Sequence, residues 1–287
     1  MVMQIIFENV TVDYELGPLR SPLVLKSVDL SFNSGSFTAV IGHTGAGKSS
    51  LLKTMNGLLL PVEGKVIIGD TVITSDKNKK NLKDIRKKVG MVFQFPESQL
   101  FAETVEQDIC FGPLNFGVPM EEAKETARKV IEQVGLEKEI LSKSPFSLSG
   151  GQKRRVAIAG ILAMQPDVLV LDEPGAGLDP KGKKKILSLI ESWHREQGLT
   201  TILVTHDMND VAMYADHVVI MENGKIVRHD TTRQIFSDLS LIEQFHLDLP
   251  DARRFQLKIE RKTGVNLPKV CLTIEELVEV LIEVELV

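Results

Sequence analysis

The chain has 287 residues, is 43% hydrophobic and 25% charged, and carries a formal net charge of −5. It is long enough to bury a substantial core and to hold one large domain with a small one beside it. The acidic balance argues against nucleic acid as a partner, and no apolar run approaches the length of a membrane span. The first residues, Met1 to Phe7, lack the basic start and cleavage pattern of a signal peptide. Cys110 and Cys271 lie far apart without metal-ligand spacing, so both are expected to be free thiols in reducing, cytosolic surroundings.

Ile5 to Val12 has strand character. Tyr14 follows in a loop with turn signals at Gly17-Pro18 and Ser21-Pro22, placed where an aromatic ring could stack on a base. Val28 to Phe32 alternates, and Asn33-Ser34-Gly35 turns the chain into the apolar strand Phe37 to Ile41. Gly42-His43-Thr44-Gly45-Ala46-Gly47-Lys48-Ser49 comes next, and a helix is expected from Ser50 to Asn56. Buried strand, glycine-rich loop and helix start together make a phosphate cradle. Glycines let several backbone N–H groups turn inward, and the helix start adds partial positive charge. Lys48 supplies a full charge for the β- and γ-phosphates, and the Ser49 hydroxyl can ligate Mg²⁺.

Val66-Ile67-Ile68 and Val72-Ile73 flank Gly69-Asp70 as a hairpin. Lys77 to Lys88 is strongly basic and is expected to be a solvated loop and helix. Val89 to Phe93 is a buried-strand pattern that delivers Gln94 to a carboxyl end, where ligands sit in open α/β sheets. Thr104 to about Leu148 changes character. Ala123, Ala127, Val130, Ile131 and Val134 recur at helical spacing and Gly135 is a C-cap candidate, so this is a helical insertion. Leu148-Ser149-Gly150-Gly151-Gln152, followed by Lys153-Arg154-Arg155 and a helix from about Val156 to Met164, offers a second anion-binding helix start. One chain needs a single such cradle, so the second either suits another subunit's nucleotide or is only a glycine turn before a helix.

Val168 to Leu171 ends in Asp172-Glu173. The first carboxylate is placed to hold Mg²⁺, the second to polarise an attacking water. Pro174-Gly175-Ala176-Gly177-Leu178-Asp179 loops into another helix, on which Lys181 and Lys183 to Lys185 are expected to be solvated. Thr201 to Thr205 is a buried strand ending at His206, positioned to sense a γ-phosphate. Glu222-Asn223-Gly224-Lys225 turns a closing hairpin. Beyond about Phe236 the chain reads as a helical appendage whose last helix, Ile274 to Leu286, carries Leu277, Val278, Leu281, Ile282 and Val284 for packing on the main domain or on a partner.

The P-loop, Gln94, Leu148–Gln152, Val168–Glu173, the Asp179 loop and His206, in that order, closely resemble the ATP-binding cassette ATPases. The resemblance covers residues 1 to about 235. It implies an α/β P-loop NTPase fold with an antiparallel β-subdomain and a helical subdomain at about 95–165, on a cassette domain of 1–236. It also implies ATP and Mg²⁺ as cofactors. In that scheme Tyr14 stacks on adenine, the P-loop residues through Ser50 hold the phosphates, and Ser49, Gln94 and Asp172 serve Mg²⁺. Glu173 is the general base and His206 contacts the γ-phosphate. Leu148–Gln152 complete the site of the facing subunit, and Asp179 crosses the interface.

A narrower likeness runs through Phe93 to Phe101, Phe111-Gly112-Pro113, Asn115-Phe116-Gly117 and Gln152 to Gly160. These segments are similar to the energy-coupling-factor ATPases, in detail to the second of their two ATPase subunits. That likeness implies a peripheral subunit on the cytoplasmic face of the cell membrane. Its partners would be a paralogous ATPase, a membrane scaffold and separate substrate-binding membrane subunits that take up vitamins or transition-metal ions. Residues 237–287 would form a small domain of the dimerisation type. Gly175 departs from the cassette pattern, where Thr or Ser is common. Glu97 is expected to pair with a scaffold arginine while Leu100 and Phe101 fill a groove.

Overall fold

The computed structural model describes residues 3–14, 23–75 and 79–286. The turn signals at Gly17-Pro18 and Ser21-Pro22, and the start of the basic stretch at Lys77, lie outside the described residues. The strands are β1 (Ile5–Val12), β2 (Leu25–Phe32), β3 (Phe37–Ile41), β4 (Glu63–Ile68), β5 (Thr71–Ile73), β6 (Val89–Val92), β7 (Val168–Asp172), β8 (Thr200–Val204), β9 (His217–Glu222) and β10 (Lys225–Thr231). The α-helices are α1 (Lys48–Met55), α2 (Lys79–Lys88), α3 (Val105–Asn115), α4 (Met120–Gln133), α5 (Gly150–Leu162), α6 (Pro180–Gln197), α7 (Met208–Tyr214), α8 (Thr232–Ser237), α9 (Leu239–Gln244), α10 (Asp251–Thr263) and α11 (Ile274–Glu283).

Two sheets follow from two kinds of strand. β3 and β8 are buried along their whole length, as expected of strands covered on both faces. They sit centrally in a sheet of order β10-β9-β3-β8-β7-β6, parallel except for the β9–β10 hairpin. β1, β2, β4 and β5 form an antiparallel sheet of order β2-β1-β4-β5. Its strands alternate, with Phe7, Val28, Val66 and Ile68 buried between more exposed neighbours.

Period-two alternation divides the parallel sheet's side chains between two cores. Val40, Val170, Val204 and Val219 pack with the antiparallel sheet and α1, around Phe7, Phe32, Leu51 and Leu52. Ala39, Ile41, Leu169, Leu171 and Leu203 pack with helices on the other face, including Ile109, Ala127, Ile158, Ile190 and Trp193. The parallel sheet is therefore the middle of three layers, and its carboxyl ends are free to line a site.

The helical insertion is present as α3 and α4, with Gly135 just past α4 at φ 68°. α5 begins at Gly150, six residues before the start read from apolar spacing, because Ser149 and Gln152 form a reciprocal capping box. After α8 the chain stays on the main core through Ile242, Phe245 and Leu249. Leu267, Cys271, Leu277, Val280 and Leu281 then form a small core of their own. Val278 and Ile282, on the other side of α11, are exposed. Both cysteines are free thiols.

Candidate active site

β3 carries the chain into the glycine-rich loop and α1 carries it out, so the loop lies at the carboxyl end of the central strand. Two glycines are sterically demanded there. A Cβ on Gly42 would lie 2.2 Å from the Met221 carbonyl oxygen, and one on Gly47 would lie 2.7 Å from that of Val24. Both also have positive φ, 143° and 102°. The Lys48 ammonium donates to the carbonyls of Gly42 at 2.6 Å and His43 at 3.0 Å, which holds it inside the curl of the loop. Burial lowers its pKa, against the charges of Glu173 and Asp172.

A cleft of about 630 Å³ opens on this loop. Thr44, Gly45, Gly47, Lys48, Ser49 and Ser50 form its floor, and Tyr14 stands at one side, its hydroxyl 3.2 Å from that of Ser50. Gln94 from the end of β6, Asp172 and Glu173 from the end of β7, and His206 from the end of β8 close it. Three neighbouring strands thus deliver their chemistry to one edge. Gly42, His43 and Ala46 belong to the same loop. His43 points its Nε2 at the Phe245 carbonyl, 3.0 Å away in the appendage.

The carboxylates are not equivalent. Burial pushes the Asp172 carboxyl above its ordinary range, against a hydrogen bond from Ser49, and the neighbouring Glu173 charge adds to the rise. Glu173 adopts a left-handed backbone, φ 47°, rare for a non-glycine residue. Its Oε1 lies 3.2 Å from Nδ1 of His206, whose side chain is 79% exposed. The base-type carboxylate and the histidine are in contact, with solvent on the outer side.

None of Leu148–Gln152 lines the cleft, and neither does Asp179. Leu148 is buried, while Ser149, Gly150 and Gly151 are exposed at the start of α5 with nothing within 4 Å of a Cβ built on either glycine. Asp179 N-caps α6, accepting from the Gly182 N–H at 2.9 Å.

One expectation, for Lys183, is corrected, and Glu97, whose expected partner lies on another subunit, already has an arginine within its own chain. Arg154 of α5, its side chain 2% exposed, donates Nη2 to Glu97 Oε1 at 2.6 Å and Nε to Oε2 at 2.9 Å. Its remaining Nη1 donates to the carbonyls of Pro174 at 3.2 Å and Ala176 at 2.6 Å, and its guanidinium lies 5.8 Å from the Phe95 ring centre. A planar fork that satisfies a carboxylate on one side and two carbonyls on the other is what guanidinium geometry permits. Leu100 packs partly against the core. Phe101 is 59% exposed and meets Phe111 edge-on at 4.8 Å. Lys183, expected in solvent with Lys181, Lys184 and Lys185, instead spans Asp207 and Asp210.

A phosphate cradle on the central strand, a carboxylate pair two strands away and a detached glycine-led helix start define an ATP-binding cassette ATPase. The family model described as ABC transporter matches residues 25–176. The chain is 54% identical over 275 residues to the energy-coupling factor transporter ATP-binding protein EcfA2 of Listeria monocytogenes, covering 96% of both chains. It is 55% identical over 279 residues to the EcfA2 protein of Latilactobacillus sakei, covering 97% of this chain and 96% of the relative. Among solved structures, cbiO1 of Clostridium perfringens, part of the ABC transporter complex cbiONQ, superposes with a TM-score of 0.74 at 31% identity, over 92% of this chain and all of that one. The dimeric cassette MJ0796 in a post-hydrolysis state bound to ADP and Pi gives 0.70 at 31% identity, over 80% of this chain and 99% of that one. The chain belongs to the energy-coupling factor transporter ATP-binding proteins of the ABC transporter family.

Proposed function

We propose that this chain is the ATP-hydrolysing subunit of an energy-coupling-factor importer and works in a pair with a second, paralogous cassette. The observation that carries this reading is the split of the site: the cleft gathers cradle, carboxylates and histidine, while the second glycine-led helix start faces solvent elsewhere. A helix start built for an anion, but remote from its own chain's cradle, fits a nucleotide held by a facing subunit.

In this reading Tyr14 stacks on adenine. The loop N–H groups and Lys48 hold the phosphates, and Lys48 moves from its loop carbonyls to do so. Glu173 takes the proton of the attacking water, and His206, at its side, contacts the γ-phosphate. Ser49, Gln94 and Asp172 bring a hydroxyl, an amide and a carboxylate to one cleft. So sparse a set of oxygen donors suits Mg²⁺, which keeps waters and substrate phosphate oxygens among its ligands. Bound there, the ion would neutralise charge on the β- and γ-phosphates. Leu148–Gln152 serve the partner's ATP, and Asp179 touches the partner. ATP then favours the closed pair and hydrolysis releases it.

The membrane side of the assembly falls to the surface near Phe101. Phe111 also lines a groove of about 840 Å³ with Leu114, Met120, Glu106, Lys124 and Arg128. An apolar strip with charges at its rim suits a scaffold helix. Glu97 acts from within, through Arg154. Among the described residues no helix is long and apolar enough to cross a membrane, so attachment is peripheral in this reading, on the cytoplasmic face. Residues 237–287 assist pairing. The cargo, of the vitamin or transition-metal class, is selected by other subunits.

Purification from membranes in mild detergent tests the proposal. A different cassette should co-purify with a membrane scaffold and one or more substrate-binding membrane subunits. Recovery of the chain alone, or with ribosomes or DNA, would overturn it.

A further inference from the structure

Gly175 has no backbone reason to be glycine. Its φ lies outside the left-handed region that favours glycine. What a side chain would meet there is Lys183: a Cβ on Gly175 would lie 2.7 Å from Lys183 Cγ, 3.3 Å from Cδ and 3.5 Å from Cβ. The obstacle is the root of the lysine stem, which cannot swing aside while its tip stays in place.

The tip is firmly engaged. Lys183 Nζ lies 2.5 Å from Asp207 Oδ2 and 2.7 Å from Asp210 Oδ2. A lysine in the first turn of a helix opposes the helix dipole, and two carboxylates offset that. Asp207 also N-caps α7, its Oδ1 accepting from the Asn209 N–H at 2.9 Å, and its own N–H donates to Thr205 Oγ1 at 3.1 Å. Lys183 therefore ties the first turn of α6 to the first turn of α7. His206 is the residue before that cap, and its ring touches Glu173. Asp179, the α6 cap, is four residues before the lysine. A cavity of about 230 Å³ lies between these parts, lined by Glu173, Gly175, Lys183, His206 and Asp210.

We propose that Lys183 is a positioning residue for hydrolysis, and that residue 175 is glycine so that the lysine stem can pass. The strut fixes His206 against Glu173 and links both to the Asp179 loop, so a shift of that loop is felt at the hydrolytic pair within the same chain. This rests on the roles given above to Glu173 and His206. Lysine stem and a side chain at 175 compete for one space.

The experiment is a double-mutant cycle in the detergent-purified complex, read as kcat, KM for ATP and melting temperature. Lys183→Ala should lower kcat about ten-fold and leave KM within about two-fold, since the phosphate cradle lies on other elements. Gly175→Thr should do the same by evicting the stem. With Lys183→Ala already present, Gly175→Thr should cost no more than about two-fold further, because the obstructing carbons are gone. With Lys183→Met, which keeps the stem and loses the charge, Gly175→Thr should still lower the melting temperature but should lower kcat no further than about two-fold, because the tie to Asp207 and Asp210 is already gone. Independent losses with Lys183→Ala, multiplicative in kcat and additive in melting temperature, would overturn the proposal. So would a raised KM at unchanged kcat. If the base assignment were wrong, Glu173→Gln would hydrolyse normally, while the coupling of 175 and 183 in melting temperature would persist.

Discussion

Two helix starts among the described residues are led by glycine, and they differ in cap and in surroundings: Gly47 enters α1 in the left-handed region without a side-chain cap, whereas Ser149 enters α5 extended and capped. Gly42–Ser49 sits at the carboxyl end of a fully buried strand. Its Gly42 and Gly47 are pressed by carbonyls of Met221 and Val24, and acidic side chains face its lysine across a cleft. Ser149–Gln152 has open space over both glycines, and Ser149 and Gln152 satisfy each other. Helix-start N–H groups are thus enclosed by the chain's own chemistry in one place and left facing solvent in the other. An anion site enclosed with a base-type carboxylate can hold and hydrolyse a phosphoanhydride. An open one has use only when something else brings the phosphate to it.

Breaking the enclosed side should have the largest effect. Glu173→Gln is expected to keep ATP binding and to lose roughly 10²–10⁴-fold in turnover, measured by phosphate release beside nucleotide-binding titration. Unchanged turnover would remove Glu173 as the base. The link between the two sides comes next. Arg154→Met leaves Glu97 and the carbonyls of Pro174 and Ala176 without their donor, so a stability loss of about 3 kcal/mol is expected from denaturant unfolding. A loss below about 1 kcal/mol would mean that the fork is not a strut.

The open side should be cheaper to disturb. Ser149→Ala removes a cap from α5 and should cost about 1 kcal/mol, with no change in the affinity of this chain's own cleft for ATP. An affinity loss in the isolated chain would place Ser149 within reach of its own nucleotide. The smallest expected effect is a pH dependence remote from both. Burial depresses the His194 pKa, against the pull of Asp216, and the ring contacts Thr201 at 3.1 Å. The unfolded chain binds this proton first, so this contribution is intact above about pH 6.5 and is lost as pH falls below it. His194→Gln should flatten that part of the stability profile in thermal melts.

The enclosed site was legible because its residues sit at strand ends, where sequence order alone predicts convergence. Gln94, Asp172, Glu173 and His206 each follow an apolar run, and those runs are β6, β7 and β8. The open site was legible from its Ser-Gly-Gly pattern. What sequence reading missed were charged residues turned inward. Arg154 hides in a basic run, yet it shares a buried stripe with Ile158 and Leu162 at i, i+4 and i+8. Lys183 likewise precedes Leu187 and Ile190 on the buried face of α6. Helical phase could have marked both as inward-facing. Their partners, Glu97 and Asp207 with Asp210, lie on distant elements, and pairings of that kind are fixed by the tertiary fold. Arg154, the internal partner of Glu97, stands 57 residues away in sequence, beyond the reach of any local pattern.

The most direct test of the divided site is to block the open half and read the enclosed one. Ser149→Arg in the detergent-purified complex should leave photolabelling of this chain by an azido-ATP intact and lower the complex's ATP turnover if, as proposed, the obstructed helix start serves the partner's nucleotide. Loss of labelling on this chain, or turnover that does not change, would contradict the account.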